Sequence, residues 1–481
     1  MEISKSIRLI FVAFLINIVL SLGAEAAIIK AADCSQSAVQ TAINSASNGD
    51  TVSIPAGSCS WTGGTGISTS KQIDIEGAGS STSGTVITHN GGSATLFTMT
   101  IGSSNYTKIG NIRFMCGSAS GGVYVQMTGT GLPPILHDDY FDLGVDATLL
   151  DAVQWYVTGG VIYNTTFESD YNINGACGAD IGSSQGCLVV KSNLNWDSPS
   201  TMGTADTTGT SNLYIENTTF NNVGQCPDCD DNCRIVLRYS TINGSSGCTH
   251  GPTSAQGGRH VEIYNDVFEF LTPNRNLAGR YWWFRGGTAL ITANSIADPA
   301  NSCYGSNVFQ FIVESATRTQ SHGCCTSWMC WHQPGSGSSG TSGQDQLSSG
   351  QTGTVTYDSC AGAGSPGAYY DTCQRSDPVY IWGNSGTGNT VAKITSMNDY
   401  SPDQCGNGVD TADFFVSGRD YFVSTTSSGA KPGWSPYTCP HPLTGLTGSC
   451  NSSVAGPTGY NVAGSSTGIP NAPAGLSIMS Q

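Results

Sequence analysis

The sequence predicts an all-β protein, a single-stranded parallel β-helix, on three observations. A form apolar-x-apolar-x-Asn-x-x-Phe recurs in VIYNTTF (ending at Phe167), IENTTF (Phe220) and EIYNDVF (Phe268), with looser copies ending at Phe114, Phe141, Ile242 and Ile296. The steps between these endpoints are 27, 26, 53, 22, 26 and 28 residues, with 53 read as two turns of a solenoid. Within each unit apolar residues alternate with period two, as at Ile235 and Leu237 or Val261 and Ile263, which marks strands and not helices. Asn stands three residues before the endpoint at Asn111, Asn164, Asn217 and Asn265, where its tolerance of left-handed backbone suits a repeated tight turn.

The elements follow in chain order. Lys5 and Arg8, an apolar stretch from Leu9 to Leu22 and Ala24-Glu25-Ala26 read as a cleaved signal peptide over residues 1–26. Its apolar core is shorter than the ~20 residues of a membrane span, and no later stretch is long or apolar enough to cross a bilayer. Export to an extracellular or periplasmic location makes the 18 cysteines intelligible as disulfides, with Cys34 to Cys59 as a clasp at the N-terminal cap. Cys226, Cys229 and Cys233 lack the second ligand pair of a zinc site and read as a pinned loop. The β-helix is expected over 27–445, interrupted by a Gly/Ser-rich excursion at 333–353, and the segment 446–481 is expected to be a flexible tail.

Charged residues make up 11% of the chain and the net charge is −16. Acidic balance and scarce lysine argue against nucleic acid as partner, because phosphate binding needs a broad basic footprint. Yet Arg234, Arg238, Arg259, Arg275, Arg280 and Arg285 cluster in one part of the chain. Aligning the units places Leu213, Ile215, Ile235, Leu237, Val261 and Ile263 toward the core, and the alternate positions toward solvent. Stacked coils then form outward columns: Glu216, Arg238 and Tyr264 in one, Asn212, Arg234 and His260 in another, and Tyr214, Val236 and Glu262 between them.

The stretches Ala38 to Ile43, Gly49 to Gly57 and Ile73 to Gly79 look like the capping helix and first coils of right-handed β-helix proteins of the pectate lyase-like superfamily. Thr249-His250-Gly251, Val261 to Asn265, Arg285 to Thr288, Asp377 to Trp382 and Tyr437 to Leu443 resemble secreted bacterial members of that group, over residues 34–445. The resemblance implies a right-handed coil and a monomer that works on a polysaccharide. It also implies a polysaccharide lyase cleaving an acidic, uronate-containing polymer by β-elimination, with a basic proton acceptor and a cation at the uronate carboxylate.

On that expectation Arg238, His250, His260 and Tyr264 are the candidate catalytic residues. Arg234, Arg259, Arg280, Arg285, Tyr214 and Trp283 are the candidates for substrate binding, since guanidinium grips a carboxylate and aromatic rings stack on sugars. Glu216, Glu262 and Asp231 are candidate oxygen ligands for Ca²⁺, and no organic cofactor is expected. Two other readings compete. Asp230-Asp231, with His250-Gly251 downstream and Asp206 one coil earlier, is similar to the paired carboxylates of polygalacturonase-type inverting hydrolases. An aromatic patch such as Tyr281-Trp282-Trp283-Phe284 alternatively serves a non-catalytic polysaccharide-binding protein or adhesin, or simply packs the core.

Overall fold

The computed structural model describes residues 26–117, 122–143, 151–169, 187–194, 201–221, 223, 226–230, 232–243, 247–249, 258–269, 282–284, 287–296, 309–311, 377–386, 417–418, 420–450 and 460–462. Three parallel sheets of 12, 10 and 9 strands form the walls of a solenoid, and successive coils add one strand to each. They are called here sheets I, II and III. One coil runs from Leu213–Glu216 in sheet I through Thr219–Asn221 in sheet II to Asp228–Cys229 in sheet III.

The repeat endpoints coincide with the internal register of sheet II. Phe114, Phe141, Phe167, Phe220, Ile242, Phe268 and Ile296 pair in succession. The four phenylalanines at the start of that row stack at 4.9, 5.0 and 5.3 Å between ring centroids. Ile215, Leu237 and Ile263 likewise form one buried column of sheet I. The step of 53 residues is one coil and not two, because Thr166–Glu168 pairs directly with Thr219–Asn221. The extra length lies in the connections that flank Leu188–Lys191, the strand this coil gives to sheet III.

The turn between sheets I and II explains the recurrent Asn. Asn111, Asp138, Asn164, Asn217, Tyr239 and Asn265 all have φ between 48° and 62°. The residue after each turn position builds a second ladder inside the wall. Ser240 N donates to Asp266 Oδ1 at 2.7 Å, Asp266 N to Asn294 Oδ1 at 2.9 Å, and Asn294 N to Asn384 Oδ1 at 3.1 Å. These bonds satisfy backbone donors that a bend in a buried wall would otherwise orphan.

The N-terminal mouth is closed by the helix Gln36–Ser45, capped by Ser35, whose side chain accepts from Ala38 N. Lys71 Nζ donates to the carbonyls of Ile43, Asn44 and Ala46 and satisfies the helix's last turn. The expected Cys34–Cys59 disulfide is present, with Cys187–Cys226, Cys229–Cys233 and Cys439–Cys450. Within the expected tail, Gly448–Cys450 pairs antiparallel with Tyr460–Val462. No helix among the described residues is long and apolar enough to cross a membrane. Residues 1–25 and the 333–353 excursion lie outside the described residues.

Candidate functional site

Sheet I carries the columns that the alternation predicts. Glu216 pairs with Arg238 and Arg238 with Tyr264; Arg234 pairs with His260; Tyr214 pairs with Val236 and Val236 with Glu262. Their expected exposure is corrected. Glu216, Arg238, Tyr264, Arg234, His260, Glu262 and Tyr214 point away from the coil interior yet are buried. Over Glu216, Arg238, Tyr264, Glu262 and Tyr214 the cover is the C-terminal segment 430–450, which packs Trp434, Tyr437, Leu443 and Leu446, with Met202 beside them, against Tyr163, Tyr214, Val236, Tyr264 and Leu290.

Polar contacts fasten this strap. Arg238 Nη1 donates to Tyr437 O at 2.8 Å and Nη2 to Thr438 O at 2.9 Å. Its Nε donates to Glu216 Oε1 at 2.8 Å, Nη2 donates to the same oxygen, and Nη1 donates to Tyr264 Oη at 2.9 Å. All five guanidinium N–H groups are therefore committed, leaving none for a substrate carboxylate. Burial works against the Arg238 charge, but Glu216 and Tyr264 more than offset it and hold its pKa above the ordinary value.

Two of the candidate calcium ligands, Glu216 and Glu262, are committed too. Glu216 Oε2 accepts from His441 N at 3.0 Å. Glu262 Oε1 accepts from Gly203 N at 3.1 Å and faces His260 Nε2 at 3.0 Å, while Oε2 accepts from Trp434 Nε1 at 3.0 Å. Carboxylates already satisfied by protein donors do not fit a Ca²⁺ site, and no metal-binding cluster of His, Cys, Asp and Glu occurs among the described residues.

The remaining candidates scatter. Arg259 pairs with Asp377 at 2.8 Å. Burial, with Arg259 nearby, lowers the Arg234 pKa to about 10. Trp282 and Phe284 are core residues, stacked at 5.9 Å. Asp206 accepts from the backbone of Thr210, Ser211 and Asn212 and so shapes its own loop. His250, Arg280, Arg285 and Asp231, and the side chain of Trp283, lie outside the described residues.

The outer face of sheet III offers a different set, one the strap's contacts do not include. Thr98, Gln126 and Gln154 share one column, in which Gln126 Nε2 donates to Gln154 Oε1 and Gln154 Nε2 to Asp151 Oδ2 at 2.8 Å. Two residues along, Tyr156 pairs with Lys191, whose ammonium lies 5.3 Å from the Tyr156 ring centroid and 3.2 Å from Asp230 Oδ2. Lys191 and Asp230 keep side-chain exposures of 31% and 23%, so solvent and a ligand reach them. Burial, then Asp151, raises the Tyr156 pKa to about 12, so the phenol keeps its proton at neutral pH.

Tyr156 and Lys191 lie on sheet III strands, outside the strand that precedes each repeat endpoint, so the endpoint alignment does not reach them. The signal was present in DAVQWY, which alternates, and in LVVK, which is apolar up to its terminal lysine. No family model, curated protein or solved structure matches the chain.

Proposed function

We propose that the protein is an extracellular polysaccharide lyase whose working surface is the outer face of sheet III. One observation carries this reading: Lys191 lies partly exposed beside the protonated Tyr156, two residues along from the column of Thr98, Gln126 and Gln154. The disulfides agree with an oxidising, extracellular setting. So does the likeness of the sequence to pectate lyase-like β-helices.

In β-elimination the C5 proton of a uronate leaves to a base, the C4–O bond breaks with its electron pair on oxygen, and a C4=C5 double bond forms. Lys191 would neutralise the uronate carboxylate and so acidify that proton. Asp230, partly exposed beside Lys191, would take the C5 proton, and Tyr156, holding its own proton, would donate it to the departing oxygen. Gln126, half-buried and held in place by Gln154, would bind a hydroxyl of a neighbouring sugar.

A hydrolytic reading has one specific support. Asp228 and Asp230 stand two residues apart where the chain continues the sheet III ladder, so both project from the same side of the strand, with Cα atoms about 6.6 Å apart by strand rise, and two carboxylates are what an inverting reaction uses. Incubation with polyuronates and neutral glycans separates the readings. Unsaturated, ultraviolet-absorbing ends support the lyase, and reducing ends without that absorbance support the hydrolase. Absence of both would refute catalysis on these polymers.

A further inference from the structure

We infer that the C-terminal strap is an acid-releasable latch, with His441 as its trigger. His441 is fully buried between the strap and sheet I. Its Nε2 donates to Asp206 O at 2.8 Å, and its Nδ1 accepts from Leu443 N at 3.2 Å. Those two bonds demand the neutral tautomer with its proton on Nε2. A second proton on Nδ1 would point at the Leu443 N–H, cancelling one bond and leaving two opposed donors without an acceptor.

The ring has no slack in which to turn. Its centroid lies 4.4 Å from that of Tyr214 and 5.6 Å from that of Tyr437. His441 also begins the short turn Pro442–Thr444, and its own backbone N–H is bound by Glu216. Moving the ring therefore moves the strap's most anchored point.

The charged neighbours do not rescue the cation. Glu216 from sheet I and Asp206 from the supporting loop favour protonation, whereas Arg238 from the next coil opposes it. Both carboxylates are already committed, Glu216 to Arg238 and His441 N, and Asp206 to its own loop. Tyr163, Tyr214, Tyr264 and Tyr437 complete the surroundings, and each has its phenol pKa raised by burial, so they are neutral. Burial is the largest influence on His441 and holds its pKa below the ordinary value.

The sign follows from linkage. A released strap takes up the proton at the unperturbed pKa of about 6.5, whereas the closed strap resists it. Closure is complete above that pH and weakens as pH falls, by up to about tenfold per pH unit. Release uncovers Arg238, Glu216, Tyr264 and Trp434 together and leaves the coils standing, since solenoid stability is local. The inference is independent of the sheet III reading.

Hydrogen exchange of the whole protein, corrected for intrinsic rates, tests it between about pH 7.5 and about pH 4.5. The amides of His441, Thr444 and Gly445 should lose about tenfold protection per pH unit below about 6.5, while those of Ile109 and Leu136 hold theirs. His441→Gln keeps a donor for Asp206 O and cannot take the proton, so its slope should flatten. Constant strap protection in the wild type would overturn the proposal, as would an equal slope in His441→Gln. Should that variant not fold, the wild-type His441 ring resonance decides: titration at or above about 6.5 with the strap still protected refutes the latch.

Discussion

Replacing Arg238 by Met would remove the strap's principal fastening. Glu216 Oε1 then loses two donors, and Tyr264 Oη, Tyr437 O and Thr438 O lose one each. Both members of the ion pair are completely buried, so the carboxylate left behind has no water to turn to until the strap opens. Breaking one partner of such a pair costs about 3–5 kcal/mol. The four orphaned acceptors are not added separately, because opening hydrates them together. At ~1.4 kcal/mol per decade, strap protection should fall by about two to three and a half decades. The readout is amide exchange at His441 and Thr444, compared with Ile109 and Leu136 in distant coils. The double variant Glu216→Leu/Arg238→Met removes both charges and should recover most of the loss, since apolar replacement of a buried pair is often neutral. Protection at His441 within about threefold of wild type in the single variant would refute the fastening argument.

The N-terminal coils and the proposed working face supply further tests. A Cβ at Gly110 would lie 2.5 Å from His137 Cε1 and 2.6 Å from the His137 carbonyl oxygen, so Gly110→Ala should destabilise by about 1–3 kcal/mol in thermal or chemical unfolding. Burial opposes the charge on His137, but hydrogen bonds to Asp138 and Glu76 outweigh it and raise its pKa to about 10. Because that value lies above the unfolded one, the contribution is complete below about pH 6.5 and vanishes as pH rises through about 10. His137→Asn should flatten this alkaline limb of the stability profile, and an unchanged limb would exclude the His137 cluster as its source. Lys191→Met removes a partly exposed cation, so folding should change by under about 1 kcal/mol while turnover on a cleaved polyuronate falls at least ~10²-fold.

The coil register was legible because it is local. Period-two alternation and the left-handed Asn turn fix which residues share a column, so Glu216–Arg238–Tyr264 and Arg234–His260 could be placed without coordinates. The cover over that face was not legible. It comes from residues 430–450, some 200 residues further along, and an outward strand residue looks the same in sequence whether water or a strap lies above it. The scarcity of exposed charge elsewhere made these columns conspicuous, yet tyrosine and arginine at such density also describe a second core, which is what they form. Lys191 was hidden for a different reason. It stands on sheet III, whose strands lie outside the repeat form that ends at the aligned residues, so the count of columns never reaches it. The Cys34–Cys59 pairing was readable because both residues flank the capping helix.

Side-by-side turnover of Lys191→Met and Arg238→Met on one polyuronate tests the choice of working surface most directly, with the folded fraction of each variant determined in the same samples. The proposed arrangement predicts a loss of at least ~10²-fold for Lys191→Met, and near wild-type turnover per folded molecule for Arg238→Met despite its loosened strap. Full activity in Lys191→Met with activity abolished in folded Arg238→Met would contradict it and return the chemistry to the face beneath the strap.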